Sequence, residues 1–320
     1  MKVFIVILVA SIIDVSLQAE WTYEDEAHWP GVCRTGMLQS PINIMSRDAV
    51  VDVYGAHIRG SLQFSGYNDV RVTAQNNGHA LRWDHVPGTP APVMWGGPLR
   101  GNYTFMQFHL HWLSEHAIDG MKFPLEIHMV HMKTGLTLNE AVARPDGLSV
   151  IGVFGQIYSG DDSYRTLDQI MPQIPNLVNM TQGTTEEFNI DISRLISPNA
   201  QSYYTYHGSL TTPQCQEAVT WIVMDKPVLI SDNQYKLFNT VDVGAAYNYR
   251  SLQPVNRMIY RSVASCSALM VPSLFGTLAG LFTCLSSTVL SGVNKGLCVV
   301  ANVKRKLFGN KIKHCVKLNN

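Results

Sequence analysis

The chain has 320 residues, and its 24 basic and 24 acidic side chains cancel, which argues against a body built to bind nucleic acid. The balance is uneven along the chain. Arg261 to Asn320 carries eight Lys and Arg and no acid, leaving the remainder at minus eight. The length allows one large core or two small ones. No repeat or low-complexity stretch interrupts Trp21 to Arg261, so a single domain over residues 20–261 is expected.

The chain opens with a basic residue and an apolar run, Lys2 to Leu17, followed by small residues ending at Ala19. This is the pattern of a cleavable signal peptide over residues 1–19 and predicts a secreted protein. In an oxidising compartment Cys33 and Cys215, the two cysteines before the C-terminal tail, are expected to pair. Asn102-Tyr-Thr and Asn179-Met-Thr are acceptor sequons for glycosylation there.

The body reads as mainly β, an α+β protein with a large central sheet and a few surface helices. Tyr103 to Trp112, Leu125 to His131, Leu148 to Phe154 and Ala218 to Met224 are rich in β-branched and aromatic residues. Turn clusters such as Asn76-Asn77-Gly78, Val86-Pro-Gly and Arg144-Pro-Asp-Gly separate the strand-like runs. Helical patterning is weak and confined to Ser163 to Ile170 and Ser231 to Asn239. Beyond Arg261 an uncharged stretch reaches Lys295, and a basic segment follows. Residues 262–320 therefore read either as a membrane anchor with a cytoplasmic C-terminus or as a poorly structured extension.

The chemistry concentrates in two of the strand-like runs. His109 and His111 are two residues apart, so on a strand they project to the same side. His128 lies in the next run and can reach the same level from a neighbouring strand. Three imidazoles suit a zinc ion that keeps a fourth position open. Gln107 and Glu126 each precede a histidine by two residues, where they can accept the outer N–H of a metal-binding ring. His116 and His131 have no comparable neighbour and are expected to be structural.

These residues resemble the α-class carbonic anhydrases. The matching blocks are Gln39-Ser-Pro-Ile-Asn-Ile, Asn76-Asn-Gly-His-Ala, Gly96-Gly-Pro-Leu, Gln107-Phe-His-Leu-His-Trp, Ser114-Glu-His, Glu126-Ile-His-Met-Val-His, Pro145-Asp-Gly-Leu and Gly208-Ser-Leu-Thr-Thr-Pro. The resemblance implies a twisted, mostly antiparallel sheet with a conical cavity leading to zinc. It also implies reversible hydration of carbon dioxide to bicarbonate and a proton by zinc-bound hydroxide.

Residue by residue, the resemblance makes His109, His111 and His128 the zinc ligands, with Gln107 and Glu126 behind them. Thr211 matches the residue that orients the hydroxide, and Glu115 the carboxylate that holds Thr211. Thr212 lines the polar side, while Val130, Val150, Leu210 and Trp221 match the apolar wall that receives carbon dioxide. His79 matches the proton shuttle, and Tyr23, Asn77 and Tyr206 match polar positions around the cavity water. The main departure is a single residue, Leu113, between Trp112 and Ser114, where the family has a longer loop. That deletion motivates an alternative, a carbonic-anhydrase-like binding protein with weak turnover. Arg82 stands where a smaller polar residue is usual, and Tyr204 and Tyr249 where Trp is common.

Overall fold

The computed structural model describes residues 21–52, 55–158, 166–179, 184–196 and 200–262, all within one compact unit. The expected signal peptide and, apart from Ser262, the expected C-terminal tail lie outside the described residues. Among the described residues, no helix is long and apolar enough to cross a membrane.

The strands in chain order are β1 (Asn43–Ile44), β2 (Val50–Val51), β3 (Gln63–Ser65), β4 (Val70–Asn76), β5 (Leu81–His85), β6 (Val93–Trp95), β7 (Tyr103–Trp112), β8 (Ala117–Ile118), β9 (Leu125–Lys133), β10 (Leu148–Tyr158), β11 (Phe188–Ile190), β12 (Tyr203–Gly208), β13 (Val219–Met224), β14 (Val228–Ser231) and β15 (Tyr260–Arg261). Thirteen of them, among the described residues, form one sheet whose main path runs β11-β4-β5-β7-β9-β10-β13-β12-β15-β2. Most neighbours are antiparallel, but β10 pairs in parallel with both β13 and β14, and β15 with β2. The sheet is therefore mixed, with the large, helix-poor architecture expected.

The helices are short. α1 (Leu138–Val142) is capped by Thr137 and α2 (Asp232–Phe238) by Ser231, each through a reciprocal box in which the third helical residue reaches back to the cap. The helix expected over Ser163 to Ile170 does not form across its described part, which is bends and turns. A 3-10 helix follows at Met171–Leu177, with Pro172 near its start and Pro175 inside. Two prolines in this stretch remove the amide donors that an α-helix would need.

The strand that matters most contains a bulge. Tyr103 and Phe105 face the core, but the register shifts between Phe105 and Gln107, and Phe108 and Leu110 take over the buried face. One extra residue reverses the alternation. It turns Gln107, His109 and His111 together away from the main core. Behind them Phe108, Leu110, Ile127, Met129, Ile151 and Val153 pack in that core, which gives the strands a rigid backing.

Candidate metal centre

Register across the sheet assembles the site in rows. Arg82 on β5 faces His109 on β7, which faces His128 on β9, which faces Gly152 on β10. One row along, Asp84, Gln107, Val130, Val150 and Trp221 run from β5 to β13. The third row pairs His111 with Glu126. Residues directly opposite one another share a face, so the rows carry three imidazoles beside an apolar strip.

Each histidine is held from behind. The His109 Nδ1 lies 2.9 Å from the Gln107 Oε1, the His128 Nε2 2.8 Å from the Glu126 Oε1, and the His111 Nδ1 2.5 Å from the Asn248 carbonyl oxygen. The nitrogens left over are His109 Nε2, His111 Nε2 and His128 Nδ1. One nitrogen from each ring lies within 4.8 Å of the others, close enough for one ion. The His111 Nε2 is buried with no hydrogen-bond partner, a costly state unless something binds it. Burial, followed by the neighbouring His111 and His128, holds the His109 ring well below its usual pKa. A neutral ring is the form that can ligate a metal. Three imidazoles with fixed outer nitrogens fit zinc.

Glu126 serves two histidines. Its Oε1 also lies 2.7 Å from the His116 Nδ1, and its Oε2 accepts the His116 backbone N–H at 2.8 Å. Burial alone would raise this carboxylate, but His116 and His128 hold it well below the usual range. His116 is thus a structural residue, completed by the Tyr206 hydroxyl 2.5 Å from its Nε2. His131 is structural too, buried with its Nε2 2.6 Å from the Tyr67 hydroxyl.

A cavity of about 390 Å³ opens over the histidines. Val130, Val150, Leu210 and Trp221 line it on one side, and Thr211 and Thr212 join them. Arg82 stands on its wall, its Nε 3.0 Å from the Asp84 Oδ2.

The short connection does not remove Glu115 from the site. The Ser114 amide donates to the Phe123 carbonyl at 2.8 Å, and the Arg250 amide donates to the Glu115 Oε1 at 2.8 Å. These ties fix Glu115 with its Oε2 3.5 Å from the His111 Nε2 and 3.7 Å from the His128 Nδ1. The expected link to Thr211 is not formed, because the Glu115 Oε2 is buried without a hydrogen-bond partner.

One further expectation changes. Tyr206 is buried, its hydroxyl engaged by His116 and Ser40, and it does not line the histidine cavity. The reason is register: it sits opposite Trp221, where its ring packs against the indole. His79 does not line the cavity either, and its ring stacks on Trp21 at 3.8 Å. The Asn77 Oδ1 accepts the amides of His79 and Ala80, so it shapes the turn that carries His79. Tyr23 is buried. Tyr204 is also buried, and Tyr249 packs beside Tyr247.

Cys33 and Cys215 form a disulfide closing a separation of 182 residues. Arg250 binds the same region: its Nη2 donates to the Cys33 carbonyl at 2.8 Å and its Nη1 to the Gln39 Oε1 at 2.9 Å. Asn102 and Asn179 are both exposed.

The family described as eukaryotic-type carbonic anhydrase matches residues 18–263. The chain belongs to that family. Carbonic anhydrase 7 of Homo sapiens is 34% identical over 263 residues, covering 76% of this chain and 96% of the relative. Carbonic anhydrase 5A, mitochondrial, of Homo sapiens is 35% identical over 71% of this chain and 77% of its own length. Carbonic anhydrase 3 of Rattus norvegicus is 32% identical over 76% and 98%. For a member of this family, the histidine cluster is the natural place for a metal.

Asn248 and Arg250 escaped sequence reading. Asn248 acts at the metal centre through its backbone carbonyl, which any residue type could supply. Its side chain braces β7, accepting the Trp112 amide at 3.0 Å and donating to the Leu110 carbonyl at 2.9 Å.

Proposed function

We propose that the chain hydrates carbon dioxide reversibly to bicarbonate and a proton, with zinc held by His109, His111 and His128. The observation that carries this reading is the trio of inward-facing nitrogens, each with its ring fixed from behind, beneath a cavity with one apolar side. When bound, zinc supplies the Lewis acidity that makes water a nucleophile near neutral pH, an effect for which carbonic anhydrase is itself the type example.

The residues of the chain do the rest. Gln107, Glu126 and the Asn248 carbonyl keep the ring orientations that leave the ligating nitrogens free. Val130, Val150, Leu210 and Trp221 offer carbon dioxide an apolar wall beside the histidines. Thr211 and Thr212 give that cavity hydroxyls able to orient an attacking oxygen. His79, half-buried on the turn made by Asn77, is the residue to which we assign the outward proton relay, because histidine is the side chain suited to proton exchange near neutrality.

A secreted protein fits the Cys33–Cys215 disulfide, a bond that persists in oxidising compartments. The exposed Asn102 and Asn179 fit glycosylation there. We assign cleavage near Ala19 and leave residues 262–320 with both readings, anchor or extension.

A second reading has one observation in its favour. The unpartnered Glu115 Oε2 means that Thr211 lacks the hydrogen bond that would fix its hydroxyl, as expected of a protein that binds zinc but turns over slowly. Carbon dioxide hydration by zinc-loaded and chelator-stripped protein separates the two. Rapid hydration that disappears with the metal and returns on adding zinc supports the enzyme. Stoichiometric zinc without hydration supports the second reading.

A further inference from the structure

A second cavity, of about 550 Å³, shares no lining residue with the histidine cavity. Thr205, His207 and Thr220 meet it from adjacent positions on β12 and β13, His207 directly opposite Thr220. Arg59, at the end of the helical turn Gly55–Arg59, Arg100 before β7 and Arg257 before β15 complete it. Three guanidinium groups from three separate segments converge on one space, and Asp52 is the single carboxylate among the lining residues.

The three arginines are held to different degrees. Arg59 donates from Nε to the Gly97 carbonyl at 2.7 Å, and its Nη2 lies 3.5 Å from the Asp52 Oδ2. Asp52 therefore offsets one positive charge. Arg257 is positioned by the Gln39 carbonyl and lies over the Tyr206 ring, its guanidinium carbon 5.0 Å from the centroid. Its Nε is buried without a hydrogen-bond partner. Arg100 is exposed and makes no hydrogen bond or ion pair among the described residues.

The other nearby acids are already engaged. Asp146 lies 2.5 Å from the Lys133 Nζ. Glu217 accepts from the Leu38 amide at 2.6 Å and the Gln39 side chain at 2.9 Å. The cavity thus keeps a surplus of positive charge and of donors.

We propose that this cavity binds a tetrahedral oxyanion, phosphate or sulfate, free or carried on a larger molecule. Guanidinium forks match such oxyanions, and donors arriving from several directions suit a tetrahedral ion better than a planar carboxylate. The Thr205 and Thr220 hydroxyls and the His207 ring add neutral partners on the sheet side. The site is independent of the chemistry at the histidines and can be tested without measuring hydration.

The experiment is calorimetric titration of the zinc-loaded protein at fixed ionic strength, with inorganic phosphate and a sulfated disaccharide in separate runs. Saturable one-to-one binding of either is expected. Arg100→Glu should weaken it by about tenfold or more, the scale of a lost charge-assisted hydrogen bond, and Arg100→Lys should recover part of the loss. Arg82→Ser, which alters the wall of the other cavity, should leave it unchanged. Tighter binding of one probe identifies the source of the anion. Failure of both probes to saturate would overturn the proposal, as would binding that ignores Arg100→Glu and weakens with Arg82→Ser.

Discussion

Glu115 is the carboxylate that faces the inward nitrogens of His111 and His128. Its Oε1 is tied to the Arg250 amide while its Oε2 faces His111 and His128 without a partner. Glu115→Gln keeps an acceptor for Arg250 and removes the charge from the site. Because the Glu115 Oε2 makes no hydrogen bond to Thr211, zinc content should be unchanged and kcat/KM for hydration should fall by less than about tenfold. A fall of about 100-fold, the scale of a misplaced orienting group, would show that Glu115 orients Thr211 after all.

His131 gives an independent pH test. Burial lowers its pKa from the ordinary 6.5 to about 3, so the folded protein keeps it neutral while the unfolded chain takes up a proton below pH 6.5. The unfolded state binds more protons in that window. Stability from this group is therefore complete above about pH 6.5 and falls as pH drops toward 3. Between pH 7 and pH 5 the loss is about 2 kcal/mol. Urea unfolding at the two pH values should show His131→Gln losing about 2 kcal/mol less than the parent, and equal losses would contradict the assignment.

At the scale of elements, the site depends on the closeness of β9 and β10. A Cβ on Gly152 would lie 2.9 Å from the Glu126 Oε1, the atom that also holds His116 and His128. Gly152→Ala should destabilise the fold by about 1–3 kcal/mol through overpacking. It should also weaken zinc retention against a chelator by turning Glu126 from His128. Retention equal to the parent would show that Glu126 does not position this ring.

The four strand-like runs were legible because their β-branched and aromatic residues mark β7, β9, β10 and β13, although β9 and β10 run on past His131 and Phe154 to Lys133 and Tyr158. The shared face of Gln107, His109 and His111 was legible too, since a two-residue spacing survives on either side of a bulge. The bulge itself was not, because nothing in Phe105-Met-Gln marks an extra residue. The helix near Ser231 was legible only as weak patterning, and its Ser231–Gln234 capping box is a feature that the structure adds. The segment before Met171 misled because its periodic apolar residues, Leu167 and Ile170, are buried from turns.

Across the whole molecule, distant segments converge behind the histidines. The Cys33–Cys215 disulfide, Gln39 and Arg250 lock the N-terminal segment to the strand region and to the residue that binds Glu115. This closure was only partly readable. Two cysteines before the tail suggested a pair, whereas the roles of Arg250 and Asn248 depend on backbone groups that no side-chain pattern reveals. The same closure explains how Ser114-Glu-His keeps its place despite the short connection through Leu113.

The central claim is that three fixed imidazoles make this chain a zinc-dependent carbon dioxide hydratase. Stopped-flow hydration by the purified protein, with zinc measured on the same sample and His128→Ala beside it, tests that claim most directly. The account predicts turnover that scales with zinc occupancy and is lost in His128→Ala together with the metal. Full zinc occupancy with no hydration above the buffer rate would contradict it.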